Sequence, residues 1–384
     1  MKSTQLFKDF FNSEKAGGLI LLACTVQSLL LANSVLGDDY ISFWKMQLGA
    51  YKLDHWINDG LMTIFFLLIG LELEREIYKG ELSNIKDALL PIFGALGGLL
   101  IPAGLYLVFN FGTSTQSGAG IPMATDIAFA LGILSLLGKR VPISLKIFLT
   151  ALAVIDDLCA ILVIALFYTK TIIWSNLFIA LAVFALLLAF NRLKIRNVFP
   201  YLIGGVFMWY FMHNSGVHAT ITGVLLAFAI PFGNGDQEST SYKLQHFLHK
   251  PVAFIILPLF ALANTAFVMG SNFTEILSEN YSIGIAMGLI IGKPVGIFLF
   301  TFFAVSAGLC QLANNLHWKL IIGAGLLGGI GFTMSIFITL LAFGDAQIIN
   351  NAKFIILVSS LIAGALGFFL LKVSLKKELA EDEI

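Results

Sequence analysis

Four charged residues lie in stretches of sequence that are otherwise apolar. They are Asp126, Asp156, Asp157 and Lys293. An ionised side chain at membrane depth costs at least about 2.5–3.5 kcal/mol, so four of them cost on the order of 10 kcal/mol. One lysine can pair with one acid, which leaves two acids that a purely structural ion pair does not explain. We therefore expect a cavity that holds water, protons or metal cations.

The adjacent acids Asp156 and Asp157 suit the binding of cations and protons. Neighbours on an α-helix point about 100° apart, so one carboxylate can face a cation while the other faces a partner such as Lys293. Two carboxylates that share a cavity lose their protons in coupled steps. Their oxygens are hard ligands that suit Na+ or Li+, and the sequence offers no evident thiolate or imidazole cluster for a transition metal.

The overall composition indicates a membrane protein. Of 384 residues, 58% are hydrophobic and 12% are charged, against about 45–50% and about 25% in soluble domains. The 23 basic and 23 acidic residues balance, so no basic excess suggests nucleic-acid binding. Cys24, Cys159 and Cys310 lie far apart in apolar runs, which argues against a disulfide framework or a metal cluster.

Apolar runs predict one integral membrane domain over residues 1–384, with twelve transmembrane helices. The predicted spans are 16–32, 57–72, 88–109, 121–137, 143–168, 173–190, 199–212, 216–231, 252–269, 282–304, 320–342 and 354–371. With an even number of spans, the side that holds both termini collects 18 basic residues and the other side four. This asymmetry predicts a cytoplasmic N-terminal segment (1–15) and a cytoplasmic tail (372–384).

Two spans carry the marks of a broken helix. The fourth has Pro122, Thr125 and Asp126 near its middle, and the eleventh has five glycines between Gly323 and Gly331. Such interruptions in corresponding places of two halves are typical of a transport site, although small residues also allow close helix packing. A carboxylate between facing half-helix N-termini would be stabilised by their partial positive charges, and a lysine would compensate facing C-terminal ends.

These residues stand in motifs that resemble the bacterial NhaA family of Na+/H+ antiporters. The motifs are Ala-Thr-Asp-Ile-Ala-Phe-Ala-Leu-Gly, Leu-Lys-Ile-Phe-Leu-Thr-Ala-Leu-Ala-Val-Ile-Asp-Asp-Leu, Ser-Gly-Val-His-Ala-Thr, Ile-Gly-Lys-Pro-Val-Gly-Ile and Gly-Ile-Gly-Phe-Thr-Met-Ser-Ile-Phe. They occur in the family's order, and the similarity runs from near residue 12 to past residue 360. The resemblance is therefore specific.

The resemblance implies an all-α polytopic transporter of the bacterial inner membrane, in a family already known for inverted-topology repeats and discontinuous helices. It implies twelve helices, two of them crossed and broken, a homodimer in the lipid bilayer, no cofactor and no enzymatic reaction. Asp156 and Asp157 correspond to the pair that binds protons and the transported Na+ or Li+. Thr125, Asp126 and Lys293 correspond to the residues that compensate charge at the helix crossing. The family exports the cation and takes in two protons.

The resemblance also implies regulation by alkaline pH through a cytoplasmic group of residues. Matching positions are Glu72, Arg75, His246 and His249, and His218 is a further candidate, although a lone histidine on an apolar helix is more often a core residue. Two positions depart from the family pattern. Glu74 stands where a basic residue is common, and Gln245 stands where an acid can occur.

Three other functions would also use charges inside a membrane. A Na+-coupled symporter of an organic anion needs a larger polar pocket, for which the spans offer few further polar residues. An intramembrane aspartyl protease could pair Asp126 with Asp157, but no Gly-x-Gly-Asp motif precedes either acid, and Lys293 would have no role. A structural scaffold would leave all four buried charges without a purpose.

Overall fold

The computed structural model describes residues 2–169, 171–268, 273–313 and 315–381. Met1, Lys170 and the last three residues of the predicted cytoplasmic tail lie outside the described residues. Within the described ranges the chain is a bundle of helices, with one hairpin of two short strands in the first long loop.

The first half of the chain contains eight α-helices and the two strands. They are α1 (Lys2–Ala32), α2 (Gly37–Trp44), β1 (Gln47–Leu48), β2 (Tyr51–Lys52), α3 (Leu53–His55), α4 (Met62–Lys79), α5 (Ile85–Asn110), α6 (Ile127–Leu136), α7 (Ile143–Phe167) and α8 (Trp174–Arg192). A π-helix, Trp56–Leu61, joins α3 to α4. Short 3-10 helices cover Glu81–Ser83, Gln116–Met123 and Gly138–Arg140.

The second half contains ten α-helices. They are α9 (Phe199–His213), α10 (Ile221–Ala229), α11 (Thr240–Pro251), α12 (Leu257–Asn264), α13 (Phe273–Ser278), α14 (Asn280–Met287), α15 (Lys293–Ser306), α16 (Trp318–Gly328), α17 (Phe332–Ala342) and α18 (Ala346–Glu381). Two further π-helices, Val252–Ile256 and Gly288–Gly292, join α11 to α12 and α14 to α15.

Every predicted span coincides with helix. In the described part of the chain, eight helical runs are long and apolar enough to cross a membrane, and α16 with α17, bent by 47°, form a ninth. The remaining three predicted spans correspond to the apolar part of α1, to α9 and to α10, which are shorter. The sequence patterns did not predict α2, α13 or the hairpin, because these short elements lie in polar loops between apolar runs.

The fourth and eleventh spans are interrupted, as their sequences predicted. The 3-10 helix Gln116–Met123 ends before an extended segment that leads into α6, and residues 329–331 separate α16 from α17. The backbone N–H of Asp126 donates to the C=O of Ile330 at 2.6 Å, so the two interruptions lie against each other. We call this contact between the two interrupted helices the crossing. The hydrogen bond pairs one N–H and one C=O that the interruptions leave without a partner inside their own helices.

Close helix packing places the helix that carries Lys293. A Cβ atom added at Gly97 in α5 would collide with the carbonyl of Gly296 in α15, and one added at Gly296 would collide with the carbonyl of Gly97. Only glycine at both positions lets the two backbones approach this closely. The π-helix before α15 widens the turn that ends at Lys293, and Pro294 lacks the N–H that a regular α-helical turn would use there.

Aromatic packing fixes α17 at the centre of the bundle, while other helices face outward. The ring of Phe337 lies 5.5 Å from that of Phe66 in α4 and 6.4 Å from that of Phe260 in α12, centroid to centroid. By contrast, Ala180 and Leu187 are the buried residues of α8, and its other apolar side chains are exposed or half-buried. Such an apolar exterior is stable in lipid and unfavourable in water.

Candidate functional site

The ion pair between Lys293 and Asp156 lies in the middle of the bundle. Nζ of Lys293, the first residue of α15, donates to Oδ2 of Asp156 in α7 at 2.5 Å. Both side chains are fully shielded from solvent, at 0% exposure. A buried ion pair of this kind survives only with close geometry and further hydrogen bonds, since neither charge is solvated by water.

Thr125 links this ion pair to the broken helix α16–α17. Its hydroxyl lies 2.8 Å from Oδ2 of Asp156 and 2.8 Å from the carbonyl oxygen of Gly328, the last residue of α16. Both neighbours accept hydrogen bonds and the hydroxyl has one hydrogen, so it donates to one of them at a time. The hydroxyl can therefore follow a change of charge on Asp156 by turning toward the helix end.

Asp126 caps two half-helices at once. It is the N-cap of α6, where Oδ1 accepts from the N–H of Phe129 at 3.0 Å. Its Oδ2 accepts from the N–H of Thr333 at 3.1 Å and from the hydroxyl of Thr333 at 2.5 Å, in the first turn of α17. A helix N-terminus carries roughly half a positive charge, so α6 and α17 together offset roughly the one negative charge of Asp126.

Asp157 has no such partners. Both of its carboxylate oxygens, and Oδ1 of Asp156, are buried and make no hydrogen bond among the described residues. Three buried acceptor oxygens without donors are expensive in a protein interior. With Asp126 offset by helix ends, the remaining two carboxylates and one ammonium carry a net charge of minus one when all are ionised. The site thus lacks one positive charge beside Asp157, which a proton or a monovalent cation would supply.

The fold gathers the crossing residues that the sequence singled out, and it adds one that the sequence analysis missed. Thr333 supplies two of the three hydrogen bonds to Asp126. The signal for it was present, because Thr-Met-Ser-Ile-Phe in the eleventh span faintly repeats Thr-Asp-Ile-Ala-Phe in the fourth. The predicted role of Lys293 at facing helix C-termini takes a different form: its Nζ binds Asp156, and it is the hydroxyl of Thr125 that reaches the C-terminal carbonyl.

Four of the predicted pH-sensing residues lie together where α4 meets α11. Oε1 of Glu72 is 3.9 Å from Nδ1 of His249, and the guanidinium of Arg75 lies 5.3 Å from the ring centre of Tyr242. The ring of Tyr242 in turn stacks on His246 at 6.3 Å. These contacts form an ionisable cluster at one end of the bundle.

The two departures from the family pattern lie beside this cluster. Gln245 hydrogen-bonds to Glu72 as a neutral amide, where an acid would repel it. Glu74 is buried with Oε2 unpartnered among the described residues, and it borders a cavity of about 770 Å³ together with Lys79 and Arg192. The acid at position 74 thus shares the lining of the cavity with two basic residues.

His218 lies outside that group, at the opposite end of α4. Its Nε2 is 3.6 Å from Oδ1 of Asp59, which also lies near two other histidines: Nε2 of His55 at 3.2 Å and Nδ1 of His213 at 3.6 Å. The expectation that the chain offers no imidazole cluster was wrong. The cluster leaves little sign in the sequence because these histidines come from segments that are far apart in the chain.

Comparisons with known proteins agree with the chemistry of the crossing. A family model described as Na+/H+ antiporter 1 matches residues 8–371. A protein of Flavobacterium psychrophilum named Na(+)/H(+) antiporter NhaA is 72% identical over 383 residues, which cover 100% of each chain. One of Cytophaga hutchinsonii with the same name is 59% identical over 382 residues, 100% of this chain and 99% of the relative.

A solved structure shares the fold. The sodium proton antiporter MjNhaP1 from Methanocaldococcus jannaschii superposes with a TM-score of 0.52, covering 99% of this chain and 98% of that chain. The two sequences are 15% identical, so the likeness is one of helix arrangement alone.

Proposed function

The chain belongs to the Na+/H+ antiporter 1 family and is a Na+/H+ antiporter, and from this premise we propose that Asp157 and Asp156 bind the transported ion. The family is one of transporters, it carries Na+ and H+, and it implies no cofactor. The matched relatives are named antiporters, so nothing in them supports the alternative of Na+ symport with an organic anion.

The observation that carries the proposal is the group of three unpartnered oxygens on Asp156 and Asp157. Carboxylate oxygens are hard ligands that suit Na+ and Li+, and they are also the groups that protons would occupy. A cation and protons therefore compete for the same atoms. Competition at one site, opened alternately to either side of the membrane by movement of one bundle against the other, gives exchange without simultaneous binding.

Lys293 accounts for the number of protons that exchange for one cation. In the arrangement described, Lys293 holds one proton and pairs with Asp156, and a second proton on Asp157 makes the site neutral. A cation that takes the oxygens of both acids displaces the proton of Asp157 and removes the partner of Lys293. The lysine then releases its own proton, because a buried ammonium without a counter-ion is strongly disfavoured. Two protons exchange for one cation, and each cycle moves one net charge across the membrane.

Asp126, Thr125 and Thr333 hold the crossing in place during this exchange. They bind no transported ion in the proposal, because the oxygens of Asp126 already accept three hydrogen bonds. Their role is to offset the ends of the half-helices, so that the only unbalanced charge lies at Asp156, Asp157 and Lys293.

We place the protein in the bacterial inner membrane with both termini in the cytoplasm, as the distribution of lysine and arginine favours. In that orientation the cluster of Glu72, Arg75, His246 and His249 is cytoplasmic. A change of protonation there as the cytoplasm becomes alkaline would alter the contact between α4 and α11, and α4 continues toward the core that holds α17. The family resemblance also supports a homodimer in the bilayer.

The test is exchange in proteoliposomes, followed by a pH-sensitive dye as Na+, Li+ or K+ is added. Asp157→Asn keeps the size of the side chain but cannot take up a proton or supply a carboxylate, so exchange with Na+ and Li+ falls to background. Asp345→Asn is the matched control, since asparagine also caps a helix and Asp345 caps α18 at the surface. Near-normal Na+-dependent proton movement by Asp157→Asn contradicts the assignment.

A further inference from the structure

Three histidines converge on Asp59 at the end of α4 that lies away from Glu72. Asp59 stands in the π-helix Trp56–Leu61, and His55 lies four residues before it. His213 is the last residue of α9, and His218 lies in the connection to α10. In the proposed orientation this end of the bundle faces the outside of the cell, and the transport site does not use these residues.

The spacing of the donor atoms matches that of a metal centre. Zn2+ binds nitrogen and oxygen ligands tetrahedrally at about 2.0–2.1 Å, which places its ligand atoms roughly 3.3–3.4 Å from one another. Oδ2 of Asp59 lies 3.2 Å from Nε2 of His55 and 3.6 Å from Nδ1 of His213. The ligand atoms of all three residues lie within 4.8 Å of one another. A single ion at the centre would need only small side-chain shifts to reach all three.

His55 offers an atom that the protein itself leaves without a hydrogen bond. Its Nε2 is buried and has no hydrogen-bond partner among the described residues, even though the Asp59 carboxylate is 3.2 Å away, because the geometry is unsuitable. A histidine whose role was only to hydrogen-bond Asp59 would be expected to direct an N–H at it. An imidazole nitrogen that makes no hydrogen bond has a lone pair available to a metal ion once the ring turns toward the other ligand atoms.

The surroundings hold the rings in position. The indole of Trp209 stacks on His213 at 5.7 Å, and Tyr51 lies 4.5 Å from His55 and 5.3 Å from His213, measured between ring centres. Nδ1 of His218 is 2.7 Å from the hydroxyl of Thr220, which leaves Nε2 on the side of Asp59. Fixed rings and a hydrogen bond on the far nitrogen are features that outer residues give to metal-binding histidines.

We propose that His55, Asp59 and His213 form a binding site for a divalent transition metal of the Zn2+ type, with His218 as a fourth ligand. Two or three imidazoles with one carboxylate suit Zn2+ better than the hard alkali cations that the transport site takes. The side chains of His55 and His213 are 32% and 23% exposed, so the ion can enter from water.

Occupancy of this site slows exchange. The ion ties the start of the second span to the connection between α9 and α10, and the ring of His218 contacts Phe337 of α17 at 5.5 Å. Because α17 also carries Thr333 at the crossing, its freedom to move is coupled to the metal site. This second part of the proposal rests on the proposed transport mechanism, whereas the metal site itself does not.

Calorimetric titration of the chelator-treated full-length protein in detergent with ZnCl2 tests the site. We expect saturable binding of one ion per chain, and Co2+ in its place should give the visible absorption of a tetrahedral complex. The double variant His55→Gln/His213→Gln should lose affinity by at least about 100-fold, since removing even an outer-shell residue lowers metal affinity by about 10–100-fold. The control His317→Gln, at the exposed N-cap position of α16 and outside the cluster, should bind as the unmodified protein does. Absence of saturable binding, or equal binding by the double variant, overturns the site.

A second measurement tests the effect on transport. Micromolar Zn2+ added to proteoliposomes should slow Na+-driven proton movement by the unmodified protein and by His317→Gln, and leave the double variant unaffected. Metal-free exchange by the double variant shows that it is folded, because neither histidine belongs to the transport site. Binding without any slowing overturns the regulatory part alone, and loss of exchange in Asp157→Asn is independent of either result.

Discussion

The crossing of the broken helices and the histidine cluster both set an acid against nitrogen bases, but in different surroundings. At the crossing, Nζ of Lys293 is 2.5 Å from Asp156 and both side chains are 0% exposed. In the cluster, Nε2 of His55 is 3.2 Å from Asp59 and the side chains are 32% and 15% exposed. Solvent does not reach the first pair to replace a lost partner, whereas the second pair is partly exposed to solvent.

This difference accounts for what each group can bind. Inside the bundle, charge is balanced only by helix ends, by protons or by the transported ion, so a change at one acid must be matched at another group. Nearer the surface, a carboxylate and neutral imidazoles can coexist without strict charge balance, and the nitrogen donors determine which metal fits. Burial therefore suits the crossing to exchange, and partial exposure suits the cluster to reversible occupancy.

Removal of Lys293 should produce the largest loss of stability. In Lys293→Ala, Asp156 remains buried with Thr125 as its remaining donor, and breaking a buried ion pair costs about 3–5 kcal/mol. Unfolding of the purified protein in mixed micelles measures this loss. Lys319→Ala, at an exposed position in the first turn of α16, is the control and should change stability by less than about 0.5 kcal/mol.

The same variant tests which group carries the second proton. Without the lysine, the buried Asp156 has no counter-ion in the cation-free site and takes up a proton itself, so two protons still exchange for one cation but the pH dependence of exchange shifts. A pH dependence equal to that of the unmodified protein, or stability equal to that of Lys319→Ala, would remove Lys293 from the proposed mechanism.

Loss of a single hydroxyl at the crossing should have a smaller effect. Thr333→Val keeps the backbone N–H that donates to Asp126 and removes only the Oγ1 donor, a hydrogen bond to a charged group that contributes about 1.5–3 kcal/mol. The matched control is Thr339→Val on the same helix, whose hydroxyl donates to the neutral carbonyl of Ser335. That loss should be about 0.5–1.5 kcal/mol. Equal losses in the two variants would contradict the view that Asp126 is a charged cap of α17.

Much of the crossing could be predicted from sequence because its residues violate the apolar pattern around them. Asp156, Asp157 and Lys293 stand out from their spans, and Pro122 and the glycines before Gly331 mark the breaks. What the pattern could not supply was the pairing. Residues 126 and 333 are joined by the folding of two distant spans, and a threonine in an apolar helix carries no signal of its own.

The histidine cluster could not be predicted for the opposite reason. Only His55 and Asp59 have a helical spacing of four residues. A histidine at the polar end of an apolar span does not stand out from its neighbours. His213 enters the cluster because α9 ends there and stacks it on Trp209. A site that is assembled from half-exposed residues near the ends of several helices does not contradict the composition around it, so a single sequence does not reveal it.

His55→Gln should have the smallest effect on stability, and it tests the partly exposed pair of the comparison. In the presence of a chelator, loss of a partly exposed pair changes the free energy of unfolding by less than about 1 kcal/mol. With Zn2+ in excess, the unmodified protein gains stability by ligand binding to the native state, and the variant gains less because one ligand is missing. Unfolding in mixed micelles with and without Zn2+ measures both quantities. A loss of unfolding free energy without metal that approaches the loss in Lys293→Ala would contradict the comparison. The pair of His55 and Asp59 would then stabilise the fold as much as the buried ion pair does, and solvent exposure would not explain the difference between the two groups.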